Sequence, residues 1–121
     1  MLTCYVSGKY SPTEGGVESM GEIEENIARA ASYALELWLL GFAVFCPHMN
    51  TANFEDLVPY DDLLMGDLRF VELMDTMFMV PGWEESAGAT KERKYARAMK
   101  KSIFYNLDEA RTWLGGHYES P

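Results

Sequence analysis

An α/β fold, a small doubly wound parallel sheet of four to five strands with helices on both faces, follows from two features of the sequence. Four short apolar runs are rich in β-forming residues, and the stretches between them carry apolar residues at a helical period. Because strand and helix alternate, each strand reaches the next by a crossover, and right-handed βαβ units place the strands parallel. The 121 residues are enough for one hydrophobic core, so residues 1–121 read as a single domain.

The first strand spans residues 2–7 and runs into Ser7-Gly8-Lys9-Tyr10-Ser11-Pro12, where Gly and Pro signal a loop. Ile23, Ile27, Ala30, Ala31, Ala34, Leu35, Trp38 and Leu39 then recur close to a helical period until Gly41 supplies a stop, and they form the expected buried face. Glu18, Glu22, Glu24 and Glu25 precede or begin this helix, where negative charge suits the dipole. Residues 43–46 form a second strand closed by Pro47, and residues 48–59, which lack periodicity, form a long loop over a site. A second helix covers residues 60–74, with Leu63, Leu64, Leu68, Val71 and Leu73 facing inward, and residues 76–80 make a third strand ended by Pro81-Gly82. Met65, Met74, Met77 and Met79 read as core fillers around that strand. Residues 86–101 form a third helix and residues 102–105 a fourth strand. Asn106 with Glu109 opens a short last helix to Leu114, leaving a loose tail from Gly115.

Against 10 Lys and Arg stand 19 Asp and Glu, a net charge of -9, which excludes polymeric nucleic acid and anionic membrane surfaces as electrostatic partners. Cys4 and Cys46 lie in apolar runs and form no C-x-x-C pair, so they read as buried thiols of a cytoplasmic protein. The N-terminus has no signal-peptide pattern, and no stretch approaches eighteen apolar residues. His48 and His117 have no metal-pair spacing, and no metal or other cofactor is expected.

In a doubly wound sheet of order 2-1-3-4 ligands bind outside the carboxyl ends of strands 1 and 3, where the connection reverses direction. That directs attention to Ser7 onward and Pro81 onward. Ser86 and Gly88 open the third helix, where free backbone N–H groups favour an anion, although Ser is equally an ordinary N-cap. Glu92 shares a helical stripe with Gly88, Ala96 and Met99 while Lys91, Lys94 and Lys101 mark another side, so a carboxylate stands on a small inward face. Asp67 sits beside the apolar stripe of the preceding helix, whereas Asp75 reads as a structural turn or capping residue. Two carboxylates near a sugar's reactive carbon are the equipment of glycosidic cleavage, one attacking or stabilising the anomeric carbon and one supplying a proton. Trp83, in the crevice loop, either stacks on a base or packs the loop down.

Tyr5-Val6-Ser7-Gly8, the spacing of Asp67 and Asp75, and Ser86-x-Gly88-x-x-x-Glu92-x-x-x-Ala96 together resemble the nucleoside 2-deoxyribosyltransferase superfamily, including the 2′-deoxynucleoside 5′-phosphate N-hydrolases. Pro81-Gly82-Trp83-Glu84 looks most like a branch frequent in phages and bacteria. The resemblance implies that Glu92 is the nucleophile that attacks C1′ and carries a covalent sugar ester, that Tyr5 orients it, and that Asp67 is the acid addressing the departing base. It further implies that Ser86 and Gly88 contact the 5′ end of the substrate, and that Ser7, Gly8, Lys9 and Tyr10 line the first loop beside sugar and base. A homodimer or tetramer with shared sites is implied as well. The expected activity is N-glycosidic cleavage or deoxyribosyl transfer on a nucleoside or nucleotide. A non-catalytic module that senses or sequesters a nucleotide-derived signal in the same crevice is the alternative. The base, the acceptor and the need for a 5′-phosphate stay open at this point.

Overall fold

The computed structural model describes residues 1–11 and 19–117. The described elements run β1 (Thr3–Ser7), α1 (Ser19–Leu40), β2 (Ala43–Phe45), α2 (Pro47–Asn50), α3 (Tyr60–Leu73), β3 (Thr76–Met79), a 3₁₀ turn (Trp83–Glu85), α4 (Ala87–Ala98), β4 (Ser102–Phe104) and α5 (Leu107–His117). The four strands form one all-parallel sheet in the order β2-β1-β3-β4, with Tyr5 level with Phe45 on one side and Met77 on the other. This is the small doubly wound arrangement expected from the sequence.

Alternation along each strand divides the core into two layers. Cys4 and Val6 of β1, and Phe78 just before the end of β3, join Ala30, Ala34 and Leu37 of α1 and Ala110 and Leu114 of α5. Tyr5, Met77 and Met79 face the other way, onto Val71 of α3 and Ala89 and Ala96 of α4. Cys4 and Cys46 are both free and buried, and burial pushes their thiols up to about 12 and about 11.

Several expectations about helix faces need correction. The buried stripe of α1 is Asn26, Ala30, Ala34 and Leu37, while Leu35, Trp38 and Leu39 are exposed. The alanines let the helix lie close to the sheet, and a step of one position from Leu37 turns Trp38 about 100° away. On α3, Leu73 is 74 % exposed because it stands two positions from the buried Val71, on the opposite side of the helix. Met65 is likewise exposed, so only Met77 and Met79 of the four methionines are fully buried. α1 begins at Ser19, earlier than its apolar periodicity shows; Glu18 lies outside the described residues. Residues 47–59 are not wholly irregular, since Pro47 at the first helical position opens the single turn of α2. α5 carries on through Gly115 and Gly116 to His117, whose ring stacks on Trp113 with centroids 4.1 Å apart and whose Nδ1 bonds the Trp113 carbonyl at 2.7 Å. The remainder of the expected tail, residues 118–121, lies outside the described residues.

Asp75 joins the entries of the two central strands. Its Oδ2 accepts from Thr3 N at 2.8 Å and from Thr3 Oγ1 at 3.1 Å, and its own N–H donates to Thr3 Oγ1 at 2.8 Å. Replacing Asp75 by Ala should cost about 1–2 kcal/mol in urea denaturation, with the order and direction of the four strands unchanged.

Candidate active site

Tyr5 and Ser7 are two apart on β1 and therefore point to the same face, toward α4. On α4, Ala89, Glu92 and Ala96 form the buried stripe. Small neighbours bring the helix close enough for the Glu92 carboxylate to meet both hydroxyls: Tyr5 donates to Oε2 at 2.8 Å and Ser7 to Oε1 at 2.7 Å. Glu92 is only 6 % exposed. Burial pushes its carboxyl up to about 7, the two hydroxyl donors oppose the rise, and the charge of Asp67 adds to it. Burial also raises Asp67, to about 6, and pushes the Tyr5 phenol well above its ordinary range.

Glu92 and Asp67 line one cavity of about 710 Å³ outside the carboxyl ends of β1 and β3. Its wall brings together the first loop (Gly8, Lys9, Tyr10), the start of α4 (Ser86, Gly88), and Leu63, Leu64 and Tyr60 of α3. Tyr5 and Ser7 reach this space only through Glu92. A wider depression of about 820 Å³ lies along β4 and α5, lined by residues such as Asn106, Glu109 and Trp113. It is an open surface with no buried carboxylate on it, so the candidate site is the smaller, more enclosed cavity.

Local backbone features hold the wall in place. A Cβ on Gly8 would stand 2.8 Å from Val80 Cβ, so only glycine lets the loop leave β1 beside β3. Gly82, at φ 95°, turns the chain after β3 into the 3₁₀ turn, and Ser86 caps α4 by accepting from Ala89 N at 3.1 Å. Hydrogen bonds from several segments tie the first loop down. Asn26 Nδ2 donates to the Tyr10 carbonyl at 3.1 Å, His48 Nε2 donates to the Lys9 carbonyl at 2.9 Å, and Tyr10 hydroxyl donates to Glu55 at 3.0 Å. Lys9 Nζ stands 3.0 Å from Glu22 and 3.4 Å from Glu85.

Trp83 is placed elsewhere. It does not line the cavity; the Arg93 guanidinium covers its ring at 4.9 Å and Tyr105 packs at 6.1 Å, so it holds the turn against α4 and β4. His48 and Tyr60 are wall residues that the sequence alone does not mark. His48 follows a proline in a stretch without periodicity, and its 4 % exposure is the signal that the sequence lacks. Tyr60 stands at the start of α3, and a Cβ on Gly88 would come within 3.4 Å of its hydroxyl. Among the described residues, no group of three or more His, Cys, Asp or Glu side chains is placed to hold a metal ion, and no helix is long and apolar enough to cross a membrane.

Residues 3–105 match a family described as Domain of unknown function (DUF4406). No curated protein matches the chain.

The raised Glu92 carboxyl makes stability depend on pH. Glu92 holds its proton more tightly in the folded chain than in the unfolded one, so stability falls as pH rises from its ordinary 4.5 to about 7 and is level above that. Asp67 adds a decline between 3.8 and about 6. Glu92→Gln removes the first contribution. Thermal denaturation at about pH 5 and about pH 8 should therefore show the variant gaining on the wild type by up to roughly 3 kcal/mol at the higher pH.

Proposed function

The chain belongs to the DUF4406 family, and we propose that it cleaves the N-glycosidic bond of a nucleoside or nucleotide, or transfers the sugar to a second base, through a covalent ester on Glu92. The observation that carries this reading is a buried carboxylate gripped by Tyr5 and Ser7 at the wall of a cavity that also exposes Asp67. The grip fixes both oxygens of Glu92, which suits a nucleophile that must approach one carbon in one direction.

In the ionised state Glu92 attacks C1′, and a C–O bond forms as the C1′–N bond breaks. Asp67 hands its proton to the departing base from the form in which it, and not Glu92, holds the single proton of the pair; with the two carboxyls raised to about 6 and about 7 this is the less populated of the two one-proton forms. Water, or the nitrogen of a second base, then attacks C1′ and frees Glu92, while Asp67 recovers a proton from that incoming group. Tyr5 and Ser7 are positioning residues: they hold Glu92 and lower its basicity from what burial alone would give. The exposed side chains Phe54, Leu57 and Tyr60 support a homodimer or tetramer as part of the same reading, and a monomeric mass in light scattering at micromolar concentration would count against it.

The reading is tested by a chromatographic screen of nucleosides and nucleotides for free base. Glu92→Ala should cut base release by three orders of magnitude or more, on the order of 4 kcal/mol, with folding intact; unchanged turnover would overturn the assignment. A slow 2′-fluoro-2′-deoxynucleoside should leave a sugar-sized mass on the Glu92 peptide. The rate should follow a bell with apparent values of about 6 and about 7 that belong to the Asp67 and Glu92 pair together. Asp67→Asn should slow poor leaving bases more than a nitrophenyl glycoside, and equal slowing would mean that Asp67 positions the substrate without giving up a proton.

A further inference from the structure

We infer that the cavity selects an unphosphorylated nucleoside over the corresponding 5′-monophosphate, because its walls carry carboxylates on every side and its ammonium group is already committed. The inference rests on the glycosidase reading and adds the charge of its substrate.

Among the described residues that line the cavity, Glu55, Asp67, Glu85 and Glu92 are acidic, and Lys9 and His48 are the basic ones. Lys9 faces two carboxylates, Glu22 at 3.0 Å and Glu85 at 3.4 Å. His48 is buried, and burial lowers the affinity of its ring for a second proton. With Nε2–H donated to the Lys9 carbonyl, its Nδ1 is a lone-pair acceptor without a partner, and it offers an anion no donor. The hydroxyls of Tyr5 and Ser7 are used by Glu92. The start of α4, which on its own would attract a phosphate, is preceded by Glu84 and Glu85, whose charges oppose an anion there, and one of its N–H groups, that of Ala89, is already taken by Ser86.

Once C1′ stands at Glu92, the rest of a nucleotide has to occupy the remaining volume, which is bounded by Asp67 on α3, Glu85 before α4 and Glu55 near the first loop. A phosphate dianion there either displaces a carboxylate from Lys9 or stays unpaired beside one, and at this partly solvated wall each carries a like-charge penalty. A 5′-hydroxyl carries no charge and can donate to one of these wall carboxylates, so it meets no such penalty.

The test uses matched pairs, each deoxynucleoside with its 5′-monophosphate. Base release by the wild type gives kcat/KM, and calorimetry with Glu92→Gln gives binding without turnover. The nucleoside should lead by ~10-fold or more in each, the size expected for like charges a few ångströms apart at a partly solvated wall. A monophosphate split as well or better overturns the inference and leaves the glycosidase reading standing. If neither is split, the glycosidase reading fails. Calorimetry then decides this inference alone: tighter nucleoside binding upholds it, and tighter monophosphate binding or no binding of either overturns it. A second variant probes the cause. Glu85 is largely exposed, so Glu85→Lys should fold normally and raise the monophosphate's relative efficiency or affinity by ~10-fold, an effect that fades with salt. An unchanged ratio in that variant also overturns the inference.

Discussion

The Glu92 carboxylate, held by two hydroxyls from alternate residues of β1, is the contact on which the rest of the site depends. One hydrogen bond would let α4 pivot over the sheet; two bonds to points on one strand fix both its height and its rotation. That geometry accounts for the small residues around Glu92, since larger side chains at Ala89 or Ala96 would lift the helix away from Tyr5 and Ser7. It also has a cost. An ionisable group is kept from water where a Gln or Leu would pack without any charge to desolvate, and such a residue is commonly retained for chemistry at the expense of stability.

The opposite wall is positioned with equal economy. α3 is tied to α4 by the Tyr95 hydroxyl donating to Glu72, and to the link between α4 and β4 by Lys101 Nζ donating to the Glu72 carbonyl at 3.0 Å. Asp67 therefore sits on a helix braced against the helix that carries Glu92. The first loop is bound through Asn26, His48 and Glu55, residues of three separate segments. These bonds fix the walls and keep the two carboxylates in place, the arrangement that lowers the entropic cost of binding in general.

Fold class, strand order and the ends of β1 and β3 were legible because strand runs, Gly and Pro punctuation and βαβ handedness are local or topological properties. Glu92 was legible as a polar residue on a stripe of small ones, and Asp67 by its place beside an apolar stripe. Rotation of the helices was not. Leu35, Trp38 and Leu39 have a helical period of their own, and only contact with the sheet selects the stripe of Ala30, Ala34 and Leu37 instead. Trp83 fits a stacking role by composition, yet Arg93 and Tyr105, ten and twenty-two positions further on, decide where it goes. His48 lacked any sequence cue, since its place in the wall depends on a carbonyl in the first loop.

The two thiols of the core lie at unequal depths relative to the cavity. Cys4 is wholly enclosed near the start of β1, whereas Cys46 directly precedes the turn of α2 that carries the wall residue His48. With both held protonated in the closed chain, neither is a competent nucleophile until its surroundings open. Alkylation therefore works as a built-in clock with two hands: modification of Cys46 times the local opening of the cavity rim, and modification of Cys4 times disruption of the sheet itself.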